Sequence, residues 1–251
     1  PTTPRLGDGS GNVELLNVTF GYGDKPVLVD VTFHARPGTV TAIVGPSGSG
    51  KTTIARLISR FWDVDSGAVM VDGVDIRELG TEQLMSRLSM VFQDVYLFDD
   101  SLIANIRVGR PDASDEEVFR AADLSGVTSI ANRLGWHTPV GEGGRLLSGG
   151  ERQRVSVARA LLKQAPIVLF DEATSALDAE NEANILAAMD ELREQSTFIV
   201  IAHKLDTIKS ADQIVVLDEH GQVSQLGTHS ELSDVPGIYR CLLYTSPSPR
   251  D

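Results

Sequence analysis

A chain of 251 residues with 41% hydrophobic and 23% charged side chains has ordinary globular composition, which excludes a mostly disordered or collagen-like polypeptide. Its 22 basic and 35 acidic residues give a net charge of −13; that field repels phosphate backbones and anionic lipid over most of the surface, so nucleic acid is disfavoured as a partner and any bound anion must be held locally. No run reaches the roughly 18 apolar residues that a membrane-crossing helix needs, and the single cysteine, Cys241, excludes an internal disulfide framework.

Residues 1–12 are rich in Pro, Gly and Ser without a hydrophobic period, and they read as a linker from an upstream region. Val13–Phe20 alternates apolar and polar residues and Val27–Phe33 does much the same, which predicts antiparallel strands with one buried face. Thr39–Val44 is a short β-branched run that stops at glycine. Ile54, Leu57, Ile58 and Phe61 then follow at helical spacing. From about residue 94 to 162 the pattern is mostly helical, with a capping box at Ser114-Asp115-Glu116-Glu117, and this predicts a helical subdomain. Ile167–Phe170 and Thr197–Ala202 are apolar runs of strand length with a helical stretch around Glu182–Arg193 between them, the pattern of a parallel sheet covered on both faces. Gln213–Leu217 and Gln222–Leu226, joined through Gly221, predict a closing hairpin.

Two segments carry chemistry. Gly45-Pro46-Ser47-Gly48-Ser49-Gly50-Lys51-Thr52 fits the phosphate-loop pattern and lies between a predicted strand and a predicted helix. Glycines let the backbone wrap phosphates with amide donors, the helix N-terminus favours negative charge, Lys51 can reach the outer phosphates and Thr52 can ligate Mg²⁺. A glycine-rich turn with a solvated lysine is the minor alternative, since the match and its strand-to-helix context seldom arise by chance, but even a true phosphate loop serves kinases, GTPases, recombinases and transport ATPases alike. The second segment, Ile167–Glu172, is a buried-strand run ending in two acids. There Asp171 can hold Mg²⁺ through water and Glu172 can polarise an attacking water. The predicted fold class is α/β: a P-loop NTPase core with a parallel sheet, an N-terminal antiparallel β subdomain and an inserted helical subdomain.

Leu147-Ser148-Gly149-Gly150-Glu151-Arg152-Gln153 is a small-residue turn feeding a helix, whose N-terminus is a second anion site. It resembles the signature of ABC ATPases. With it, the chain resembles the nucleotide-binding domain of ABC transporters over roughly Val13–Arg240, every expected motif appearing in order. The resemblance implies that Tyr22 stacks on adenine, and that Gly45 through Thr52, together with Thr53, bind ATP. It also implies that Gln93, with Thr52 and Asp171, attends Mg²⁺, and that Gln93 links the site to a membrane domain. Glu172 and His203 complete the implied catalytic set, His203 contacting the γ-phosphate. Ser148, Gly149, Gly150 and Glu151, with Asp178 of Ser175-Ala176-Leu177-Asp178, are implied to contact the nucleotide of a second copy in a head-to-tail dimer. Val91–Phe98 with Asn105-Ile106, and Val140-Gly141-Glu142-Gly143-Gly144, resemble the exporter branch, in which membrane helices precede the ATPase on one polypeptide at the cytoplasmic face of a membrane. Lys204, Glu151 and Ser101 are mild departures that leave the hydrolytic set intact.

A soluble ABC ATPase of DNA repair or translation is the rival reading, but such proteins insert coiled coils or basic linkers, and neither occurs here. A subunit that binds ATP without hydrolysing it is opposed by the intact Glu172 and His203. Residues 241–251 resemble a translated sequencing adapter, and their expected structural role is none.

Overall fold

The computed structural model describes residues 9–92, 95–172 and 190–245. Two sheets organise them. The first, in the order β2 (Leu28–Ala35), β1 (Val13–Phe20), β4 (Ser66–Val71), β5 (Val74–Asp75), is antiparallel throughout. Its β1 and β4 slip register between Leu16 and Thr19. Gly67 sits opposite at φ +83°, where an added Cβ would lie 2.3 Å from the Asn17 carbonyl oxygen, so this bulge demands glycine.

The second sheet runs β10 (Val223–Gly227), β9 (Gln213–Leu217), β3 (Val40–Val44), β8 (Thr197–Ile201), β7 (Ile167–Asp171), β6 (Leu88–Val91). It is parallel except for the β9–β10 hairpin. Its central strands β3, β7 and β8 are buried at every position, as their unbroken apolar runs require. Successive side chains point to opposite faces and so feed different cores. Ile43, Ile167, Leu169 and Ile199 join the first sheet and helix α1 (Lys51–Ile58). Ala42, Val168, Phe170 and Val200 join the helical layer, which comprises α3 (Leu102–Arg107), α4 (Asp115–Leu124), α5 (Val127–Leu134) and α6 (Gly149–Lys163). The predicted capping box forms at the start of α4: Glu117 N donates to Ser114 Oγ, and Ser114 N donates to Glu117 Oε2.

The predicted strands appear within one or two residues of their expected bounds, and the α1 helix starts as expected but ends at Ile58, three residues before Phe61. The stretch around Glu182–Arg193 lies mostly outside the described residues, and only its end, 190–193, is seen as helix. Three strands and four helices were not anticipated: β4, β5, β6 and α2 (Thr81–Arg87), and the helices Leu205–Ser210, His229–Leu232 and Ile238–Thr245. β6 follows Arg87 without an intervening turn residue and is only four residues long, so no punctuation marks it.

Both ends of the domain differ from expectation. Gly11 and Asn12, in the expected linker, donate their backbone N–H groups to Asp72 Oδ1, each at 2.9 Å. After α7 (Leu205–Ser210) and α8 (His229–Leu232), the last helix α9 (Ile238–Thr245) takes in the first five residues of the 241–251 segment. Leu242 and Leu243 pack against the larger core, so this part of the segment does have contacts in the fold.

Candidate active site

The loop after β3 is set by its backbone. Gly50 is left-handed at φ +95°, and an added Cβ would meet Leu28 Cδ2 at 2.6 Å and the Val27 carbonyl oxygen at 3.2 Å. The first helical bond of α1 runs from Ile54 N to Gly50 O, so the amides of Lys51, Thr52 and Thr53 precede the intrahelical ladder, and no acid occupies the first turn. Lys51 is buried, and its Nζ donates to the carbonyls of Gly45 and Pro46 at 2.9 Å each. Burial lowers its pKa, and the nearby charge of Asp171 opposes that shift. The Ser49 hydroxyl is buried with no hydrogen-bond partner among the described residues.

Gly45, Ser47, Gly48 and residues 50–53 line a groove with Val27 from the β1–β2 connection and His203 from the end of β8. Tyr22 stands beside it. Its hydroxyl lies 3.2 Å from Thr53 Oγ1, and its ring makes edge contacts with Phe20 (5.0 Å) and Trp62 (5.6 Å) while remaining 47% exposed. Trp62 was not singled out in the sequence; a bulky exposed aromatic directly after a phosphate-loop helix was the available signal.

Asp171 and Glu172 close β7 and are both buried. Glu172 N donates to Ile201 O at 3.0 Å, tying the acid pair to β8. Its side chain accepts from the His203 amide at 3.0 Å, from the Lys204 amide at 3.2 Å, and from the Thr207 hydroxyl. Phosphate loop, acid pair and histidine thus meet at one end of the parallel sheet, outside the carboxyl ends of its strands.

The signature segment lies elsewhere. Ser148 caps α6, its Oγ accepting from Glu151 N at 3.2 Å while Glu151 Oε2 accepts from Ser148 N at 3.1 Å. Ser148 and Gly149 are exposed, and neither lines the groove. Glu151 is further paired with Arg133 at 2.6 Å, so its carboxylate is engaged within its own chain. Gln93 and Asp178 lie outside the described residues. Beyond Gln93, Tyr96 and Phe98 form an exposed edge-to-face pair at 5.4 Å. Arg159 of α6 anchors their loop, donating to Tyr96 O at 2.9 Å and to both Asn105 O and Asn105 Oδ1.

The family model described as "ABC transporter" matches residues 28–175. The chain belongs to the ABC transporter family. Within that family it is 46% identical over 244 residues to the β-(1→2)glucan export ATP-binding/permease protein NdvA of Agrobacterium fabrum, covering 96% of this chain and 41% of the relative. It is 47% identical over 234 residues to the ATP-dependent lipid A-core flippase of Vibrio vulnificus, covering 92% and 40%. The mitochondrial iron-sulfur clusters transporter ATM1 of Yarrowia lipolytica is 45% identical over 236 residues, covering 93% and 33%. A solved structure of a bacterial Atm1-family ABC exporter with ATP bound superposes with a TM-score of 0.92 at 43% identity, covering 97% of this chain and 43% of that one. The chain therefore spans well under half the length of the relatives it matches.

Proposed function

We propose that this chain is the ATP-binding and ATP-hydrolysing motor of an ABC exporter. It works as a head-to-tail pair with a second such domain, joined to membrane helices on the same polypeptide, at the cytoplasmic face of a membrane. The observation that carries the reading is the meeting of Lys51, Thr52, Asp171, Glu172 and His203 at one end of the sheet. The exposed Ser148-Gly149 turn, set away from the groove of its own chain, supports the contact with a second copy's nucleotide, a role proposed also for Gly150, Glu151 and Asp178.

The residues divide the work. Tyr22, its ring half exposed above the loop, stacks on adenine. The first-turn amides of α1, the Ser49 hydroxyl, unpaired among the described residues, and the Lys51 ammonium offer donors to phosphate oxygens, concentrating positive charge within an acidic molecule. Glu172 orients a water and takes its proton, and His203 holds the outer phosphate in line. No group of three or more His, Cys, Asp or Glu side chains among the described residues could cage a metal. One hydroxyl and one carboxylate, Thr52 and Asp171, suit instead a Mg²⁺ ion carried with the nucleotide and coordinated largely by phosphate and water. Gln93 belongs to the same proposed set. Once bound, that ion neutralises charge on the phosphates.

Two variants separate binding from chemistry. Lys51→Ala is expected to lose nucleotide binding and remain monomeric, whereas Glu172→Gln retains binding, slows hydrolysis by about 10²–10⁴-fold and accumulates as an ATP-bound dimer. Light scattering with ATP and single-turnover hydrolysis test both. A Glu172→Gln protein that stays monomeric and hydrolyses ATP at the unmodified rate would remove both the base assignment and the paired mechanism.

A further inference from the structure

The Glu172 carboxylate is held by donors from one short segment. Oε2 accepts from the backbone N–H groups of His203 (3.0 Å) and Lys204 (3.2 Å), and Oε1 accepts from the Thr207 hydroxyl. That segment leaves β8, carries His203 into the groove and turns directly into α7. Thr207 is 3% exposed and Glu172 is 7% exposed, so the hydroxyl meets the carboxylate away from competing water. A hydrogen bond to an ionised oxygen is stronger and more directional than one between neutral groups. A glutamate side chain has considerable rotamer freedom to lose, so such a bond selects the orientation in which it is presented.

We propose that Thr207 is a positioning residue for hydrolysis: its hydroxyl fixes the Glu172 carboxylate relative to His203, so that base and phosphate-contacting histidine are aligned through one segment. The proposal rests on the assignment of Glu172 as the base. Thr207 does not line the groove and acts through Glu172. Valine at this position would keep the β-branched shape without the donor, and serine would keep the donor without the methyl group.

The test compares the unmodified chain with Thr207→Val, Thr207→Ser and Glu172→Gln. In Thr207→Val the single-turnover rate at saturating ATP is expected to fall about 10-fold or more, since misplacing a reacting group by about 1 Å costs about 10²-fold. The Kd for ATP is expected to hold within about twofold, because the lost interaction serves the transition state and not ground-state binding. Thr207→Ser recovers most of the rate. In the nucleotide-free protein, Thr207→Val also speeds amide hydrogen exchange at His203 and Lys204 while leaving β8 unchanged. An inactive Glu172→Gln beside a Thr207→Val protein whose hydrolysis is unchanged or faster overturns the positioning role alone. Equal losses in the valine and serine variants, with exchange faster throughout 197–210, overturn it in favour of a purely structural role. A Glu172→Gln protein at full rate overturns the base assignment and this proposal with it.

Discussion

Gly50→Ala is the sharpest test of how the loop is built, because Gly48→Ala provides a matched control. Both glycines have positive φ, +95° and +80°. A Cβ in the left-handed region costs about 1–2 kcal/mol, and at Gly48, where nothing lies within 4 Å of the added atom, that is the whole expected penalty. At Gly50 the new methyl group meets Leu28 Cδ2 at 2.6 Å and the Val27 carbonyl oxygen at 3.2 Å. Leu28 is fully buried, and a close-packed interior resists the shift its methyl would have to make. Overpacking adds about 1–3 kcal/mol, for a total of about 2–5 kcal/mol. Urea unfolding of the two variants measures the difference directly, and a nucleotide titration at low denaturant shows whether the folded fraction still binds. If Gly50→Ala proves no less stable than Gly48→Ala, the packing of the loop against the β1–β2 connection is not what fixes its shape.

Tyr22→Ala is expected to weaken ATP binding by about 1–3 kcal/mol, the scale of base stacking. Tyr22→Phe, which loses only the contact with Thr53, should bind nearly as well; a nucleotide titration decides. Removing residues 246–251 should change stability by less than about 0.5 kcal/mol. Removing 241–251 should cost more, about 1–3 kcal/mol, because the partly buried Leu242 and Leu243 leave the core; denaturant melts of both truncations check this. Arg159→Lys, which cannot reproduce the fork onto Tyr96 O, Asn105 O and Asn105 Oδ1, should destabilise the chain by about 1–3 kcal/mol. Proteolysis within 95–100 should also quicken.

Legibility in the sequence followed the strength of local signals. The central strands could be read because burial on both faces forces unbroken apolar runs, as in Ile167–Phe170 and Thr197–Ile201. The phosphate loop was legible because its backbone demands glycine where other residues would clash. β4 was not, because its opening Ser66-Gly67-Ala68 bulge resembles a turn and its pairing with β1 is a tertiary fact. Tertiary geometry also hid Thr207, whose hydroxyl donates to a carboxylate 35 positions earlier. The segment after Tyr239 misled for a different reason. Its prolines at 247 and 249 signal irregular chain, but Leu242 and Leu243 sit at positions where a preceding helix can simply continue.

The helical layer joins two surfaces that the sequence presents as separate motifs. The N-terminus of α6 displays Ser148 and Gly149, and Arg159, nearly three turns further along the same helix, grips the loop that exposes Tyr96 and Phe98. Arg159 is substantially desolvated, which lowers its pKa from the usual guanidinium value, yet its three hydrogen bonds all run to the Tyr96 and Asn105 region. Asn105 is fully buried, and its amide in turn donates to the carbonyls of Phe98 and Ser101 at 3.0 and 3.1 Å. A buried polar network of this kind tolerates little independent movement, since each broken bond would leave a desolvated group unpaired. The Ser148 turn and the Tyr96–Phe98 loop are therefore tied to one helix, the first through the N-cap of α6 and the second through Arg159.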